Sequence, residues 1–94
     1  MEPEKKQVKI EIKLDEETAQ GIYCNMALVN HTQTEFALDF IYVQPQEPKA
    51  KVRARIITSP AHVRRLITAL NDNLSKYEKR FGVVEFSEPL SGEQ

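Results

Sequence analysis

Apolar and polar residues alternate along QVKIEIKL (residues 7–14), with Val8, Ile10, Ile12 and Leu14 on one side and Lys9, Glu11 and Lys13 on the other. A period of two marks a half-buried β-strand, and the charged side suits the edge of a sheet. DEETAQG (15–21) breaks the pattern. The next run, GIYCNMALVNH (21–31), fits two templates. Ala19, Ile22, Tyr23, Met26 and Ala27 fall at helical spacing, with Asp15 available as a cap. Gly21 within the run, and the turn formers that bound it, favour a short strand, so a strand is expected. TEFALDFIYV (34–43) puts Phe36, Leu38, Phe40 and Tyr42 on one face and Ala37, Asp39, Ile41 and Val43 on the other. Both faces are largely apolar. QPQEPK (44–49), with two prolines, ends that strand. AKVRARIIT (50–58) alternates again, Val52, Ala54 and Ile56 inward and Lys51, Arg53 and Arg55 outward.

The pattern then changes period. Val63, Ile67, Leu70, Leu74, Tyr77 and Phe81 recur at steps of four and three, and Leu66 widens the stripe. That spacing lays one apolar face along a helix. Ser59 is a good N-cap and Pro60 belongs at the first helical position. A capping box would want Glu or Gln at position 62, where His62 stands, so only half of that motif is present. Gly82 is a natural stop, and Lys79 and Arg80 suit the negative end of the helix dipole. Heptad-like spacing over so few turns reads as a core face rather than a coiled-coil seam.

These elements predict an α+β domain of order β-β-β-β-α, a four-stranded antiparallel meander followed by one long C-terminal helix, over residues 7–86. Residues 1–6 and 87–94 are polar and aperiodic and read as disordered tails. The architecture poses a covering problem. Four strands span roughly 19 Å, whereas a helix with its side chains is about 10–12 Å wide. One helix therefore shields about half of one sheet face, while the second and third strands are apolar on both. Soluble monomers rarely expose patches of that size. A two-fold homodimer, with a tetramer as the next assembly, supplies the missing cover. Val63, Leu66, Ile67, Leu70, Leu74, Tyr77 and Phe81 are the expected core and dimer face.

Whole-chain properties narrow the class. With 94 residues, 40% apolar and 29% charged, the chain has the composition of an ordinary globular domain. No run approaches the length of a membrane span and the N-terminus lacks a signal-peptide core, so no membrane partner is expected. Cys24 is the single cysteine, which excludes an internal disulfide and fits a reducing cytoplasm. The net charge of −1 conceals a division. Residues 1–48 carry four lysines against nine acids, 49–80 carry nine basic residues against Asp72 and Glu78, and 81–94 carry three glutamates. The basic stretch serves either an anionic partner or neutralisation of acids within the assembly. The near-zero total favours neutralisation, because nucleic-acid modules are usually basic overall.

Candidate chemistry is sparse. Cys24, His31 and His62 lack metal-ligand spacing, and a tetrahedral zinc site needs at least three protein ligands, so no metal or cofactor is expected. Asp39 interrupts an apolar strand and must be paired if buried. Arg53 and Arg55 on the next strand are its expected partners, with Asn25 in the same polar layer. Ser59, His62, Arg64 and Arg65 at the helix start could meet an anion. With Lys76, Lys79 and Arg80 they form a candidate anion or partner surface. No phosphate-binding glycine loop, nucleophile elbow or dinucleotide fingerprint occurs, and no small-molecule substrate is evident. A non-catalytic module with a protein partner is expected rather than an enzyme.

Ile22-Tyr23 with Asn25, Glu35-Phe36 with Leu38-Asp39-Phe40, Ser59-Pro60, and Tyr77-Glu78 with Phe81-Gly82 occur in the order of a known set. In these motifs the chain resembles, over roughly residues 8–83, a bacterial family called domain of unknown function 3467. The resemblance implies a small cytoplasmic protein without an assigned activity. Some members lie near RNA polymerase genes, which implies a transcription-linked accessory factor contacting polymerase or nucleic acid through the basic 49–80 region. The order of four strands and a long helix is also similar to the export chaperone SecB, although SecB's second helix has no counterpart. That likeness implies a binder of unfolded polypeptide.

Overall fold

The computed structural model of the chain describes residues 9–86. Its elements are a one-turn helix α1 (Glu16–Ala19), strands β1 (Met26–His31), β2 (Phe36–Val43) and β3 (Ala50–Thr58), and the long helix α2 (Pro60–Phe81). The strands form one antiparallel sheet in the order β1-β2-β3. The fold is α+β, a three-stranded sheet followed by a C-terminal helix. The readings of 1–6 and 87–94 as tails fall outside the described residues.

β2 is central because it alone can bury both of its faces. Leu38 and Ile41 point to opposite sides of the sheet and, with Asp39, are the buried residues of the chain among those described. The β1–β2 hairpin turns on Thr32, whose Oγ1 accepts from the backbone N–H of Thr34 at 3.3 Å and of Glu35 at 3.2 Å. The ladder pairs Met26 with Ile41 and continues to His31 with Phe36.

Asn25 extends that ladder one position beyond β1. Its side-chain amide donates to the Val43 carbonyl at 3.1 Å and accepts from the Val43 N–H at 2.9 Å. A carboxamide carries the same donor and acceptor as a peptide group, so it substitutes for a backbone pair. Asn25 is therefore not in the layer of Asp39, as the sequence suggested. Asn25→Ala should cost about 1–2 kcal/mol, two hydrogen bonds at their net value. Faster hydrogen exchange at the Val43 amide, with β3 unchanged, is the accompanying sign.

The β2–β3 ladder contains an irregularity. Phe40 pairs with Ala54 but Ile41 pairs with Val52, so Arg53 is an extra residue in a bulge. Phe40 and Ile41 face opposite sides, and directly paired residues share a side. Val52 and Ala54 consequently lie on opposite faces, not together as the simple alternation implied.

α2 follows its local signals. The Ser59 hydroxyl accepts from the His62 N–H at 3.2 Å, and the His62 ring Nδ1 lies 2.9 Å from the same hydroxyl. The histidine thus joins the cap that half a capping box seemed to leave open. At the far end Gly82, at φ 101°, takes a backbone conformation that side chains disfavour, and its N–H meets the Glu78 carbonyl. The Glu78 carboxylate then accepts from the Val84 N–H at 2.8 Å.

Three expectations need correction. The run 21–31 is a strand only from Met26 onward; α1, capped by Asp15, and a turn through Gly21 at φ 80° precede it. Residues 9–14 do not join the sheet, although their alternation is that of a strand. Finally, no residue of α2 is buried, so the helix does not roof the sheet within one chain.

Candidate interaction surface

The stripe on α2 is an apolar face left open. Leu66, Ile67, Leu70, Leu74, Tyr77 and Phe81 all exceed the exposure of a covered side chain, with Leu70 at 60%. Val63, at the start of the stripe, is half-buried. Tyr77 and Phe81 stack one turn apart with ring centroids 5.0 Å from each other, which stiffens the C-terminal end. A stripe of seven apolar residues along 22 residues of helix, or roughly 33 Å, is a continuous surface. Both sheet faces are open too. Val29 and Ile56 are exposed on one face, Leu28 and Ile57 on the other.

The sheet also holds one ion pair, with a buried carboxylate and an exposed guanidinium. Asp39, 5% exposed, faces Arg55 directly across the β2–β3 ladder. Arg55 donates from Nε to Oδ1 at 2.7 Å and from Nη2 to Oδ2 at 2.9 Å, a two-pronged geometry that matches guanidinium to carboxylate. The hydrogen bonds from Arg55 hold the Asp39 carboxyl below the usual carboxylate range, against the opposing effect of burial. The same bonds raise the Arg55 guanidinium. Of the two arginines expected to pair with Asp39, the register selects Arg55; Arg53, in the bulge, makes no ion pair among the described residues.

The basic candidates do not converge. Arg64 and Arg65 lie at the start of α2 and Lys76, Lys79 and Arg80 in its last two turns, roughly 20 Å apart along the axis. At the helix start, His62 N–H is held by the Ser59 hydroxyl and Val63 N–H by the Ser59 carbonyl. Pro60 has no N–H, so Ala61 supplies the single amide of that turn for an anion. Among the described residues no three metal-ligating side chains come together. Cys24 is half-buried, and the His31 ring lies 5.4 Å from that of Phe36. No helix of the described residues is long and apolar enough to cross a membrane.

Residues 1–86 match the family described as Protein of unknown function (DUF3467). The chain belongs to the DUF3467 family. No curated protein and no solved structure matches it. The likeness to SecB thus has no structural counterpart here, and the sheet has three strands where that analogy wanted four. In this DUF3467 chain, the quoted motifs have structural jobs. Asn25 clamps Val43, Asp39 anchors Arg55, Ser59-Pro60 starts α2, and Glu78 with Gly82 ends it. Sequence reasoning missed the Asn25 clamp and the Glu78 cap. A turn-forming asparagine just ahead of a strand was the available signal for the first.

Proposed function

We propose that the protein is a non-catalytic, homodimeric interaction module of a reducing compartment, its self-association completing a fold that one chain leaves open. The exposed stripe on α2 carries this reading. A protomer with Leu38, Ile41 and Asp39 as its buried described residues has little apolar burial to set against the entropy of ordering its backbone. Laying the stripe of one copy on the stripe or sheet of another buries the missing surface, and a two-fold axis lets one patch serve both copies. A four-stranded layer and packing as a dimer, or a tetramer of two such dimers, belong to the same reading. A surface shaped for assembly in turn presents the outward faces to a protein partner.

Light scattering at micromolar concentration tests it. A particle of about twice the 10.8 kDa chain mass is expected. A monodisperse single-chain particle with a cooperative melt would end the proposal.

A second reading rests on the bulge. Lys51, Arg53 and Arg55 stand on the outer strand of the sheet, and Arg53 is exposed without an ion-pair partner among the described residues. A transcription-linked factor would use that edge, with the basic residues of α2, against nucleic acid. Such binding weakens steeply with salt, through counterion release. Retention on an unfolded polypeptide that ignores salt would point instead to a SecB-like binder of exposed chains.

A further inference from the structure

The sheet has two outer edges, and they are built differently. β3 carries Lys51, Arg53 and Arg55 and is interrupted by the bulge at Arg53. Charged side chains and bulges are the devices by which sheets prevent further strand addition. β1, from Met26 to His31, has neither Lys, Arg, Asp nor Glu, and its pairing with β2 runs without a register shift. Its outer row of N–H and C=O groups is a regular and undefended template.

A matching element lies in the same chain. Residues 9–14 are as long as the six-residue β1 and keep the alternation of a strand. Ile10, Ile12 and Leu14 are 78%, 87% and 67% exposed. None of the backbone groups of 9–14 makes a hydrogen bond to another described residue. The connection to β1 carries a local tie at each end. Asp15 caps α1 through the Thr18 N–H at 3.1 Å, and Asn25 is locked to Val43. Between those ties the chain turns, and the segment 9–14 stays off its own sheet.

We infer that residues 9–14 of one copy add as a strand to the free edge of β1 in a second copy, reciprocally across the two-fold axis. This rests on the homodimer proposed above and specifies its seam. Addition pairs the open outer groups of β1 with the inward-facing groups of 9–14 and sets Ile10, Ile12 and Leu14 beside the exposed Leu28 or Val29 face of β1. It also replaces an undefended edge by one bearing Lys9, Glu11 and Lys13, so the sheet stops growing there. β3 is the poorer acceptor, since its bulge breaks the regular row of backbone groups, and Lys9 and Lys13 would meet Lys51 on one face or Arg55 on the other.

Nuclear Overhauser contacts in a mixture of 13C-labelled and 15N,2H-labelled copies decide the matter on the native chain. Contacts between 10–14 of one copy and 26–31 of the other are expected, with slowed amide exchange in both segments. Glu11→Pro and Ile12→Pro provide a second measurement. Adjacent N–H groups of an edge strand point to opposite sides, so one proline should weaken the dimer about tenfold and its neighbour far less. A dimer whose 10–14 amides exchange freely, or whose intermolecular contacts join β1 to β1, would overturn the strand addition and leave the homodimer standing. Contacts of 10–14 with β1 found only within one copy would overturn it equally. A monomer would overturn both.

Discussion

Leu70→Asp is expected to abolish assembly, and cooperative melting with it. Leu70 is 60% exposed in the protomer, and a substitution at such a site normally changes stability by about 0.5 kcal/mol or less. In the proposed two-fold dimer the position would be buried in both copies at once. An unpaired carboxylate in an apolar seam costs on the order of 3 kcal/mol per copy, and two of them weaken the dimer roughly 10⁴-fold. Because Leu38, Ile41 and Asp39 are the buried described residues, a separated chain has little to hold its sheet together. The native protein should therefore show a Tm that rises with concentration, as obligate dimers do. Thr68→Asp adds the same charge on the opposite side of α2 and should leave mass and Tm unchanged. A Leu70→Asp protein with native mass and native Tm would remove the stripe from the interface.

What the sequence made legible was whatever is encoded within a few residues. α2 could be bounded from Ser59, Pro60 and Gly82, because caps act through groups one turn away. β2 and β3 were readable from alternation and from the prolines between them. Information about partners was less accessible. The pattern of 9–14 says which side is apolar but not which strand pairs with it, so a segment without a place on its own sheet looks the same as one with a place. The bulge at Arg53 was invisible for a related reason. An extra residue leaves the written alternation intact while turning the strand over, and it separates Val52 from Ala54. The choice of Arg55 over Arg53 for Asp39 likewise needed the register. His62 was misjudged through its type, since a histidine ring at that position reaches the cap hydroxyl where a glutamate would reach the backbone. The apolar excess that implied self-association was legible from composition of faces alone, although the helix lies further from covering the sheet than the widths suggested.

The pair of Asp39 and Arg55 makes the last prediction, and its two halves should respond unequally. Asp39→Ala removes the fork that ties β3 to β2 and should lower Tm on the order of 10 °C. Arg55→Ala should be worse at neutral pH, because it leaves the buried carboxylate without its donor. Replacing both residues by leucine should recover part of the loss, because no carboxylate is then left buried without a donor. Acid reverses the order. The folded pKa of Asp39 lies below its unfolded value, so its contribution is complete above about pH 4 and disappears as pH falls through the folded pKa. Asp15, also held low by its bond to Thr18, acts in the same direction in every variant and drops out of the comparison. In Arg55→Ala the hydrogen bonds are gone and burial alone acts on Asp39, which favours the protonated form. That variant should therefore lose less stability than the native protein between pH 5 and pH 3. Parallel Tm curves for the two proteins across that interval would show that Arg55 does not set the ionisation of Asp39, and the pair would then be a surface contact rather than the fastening of the sheet.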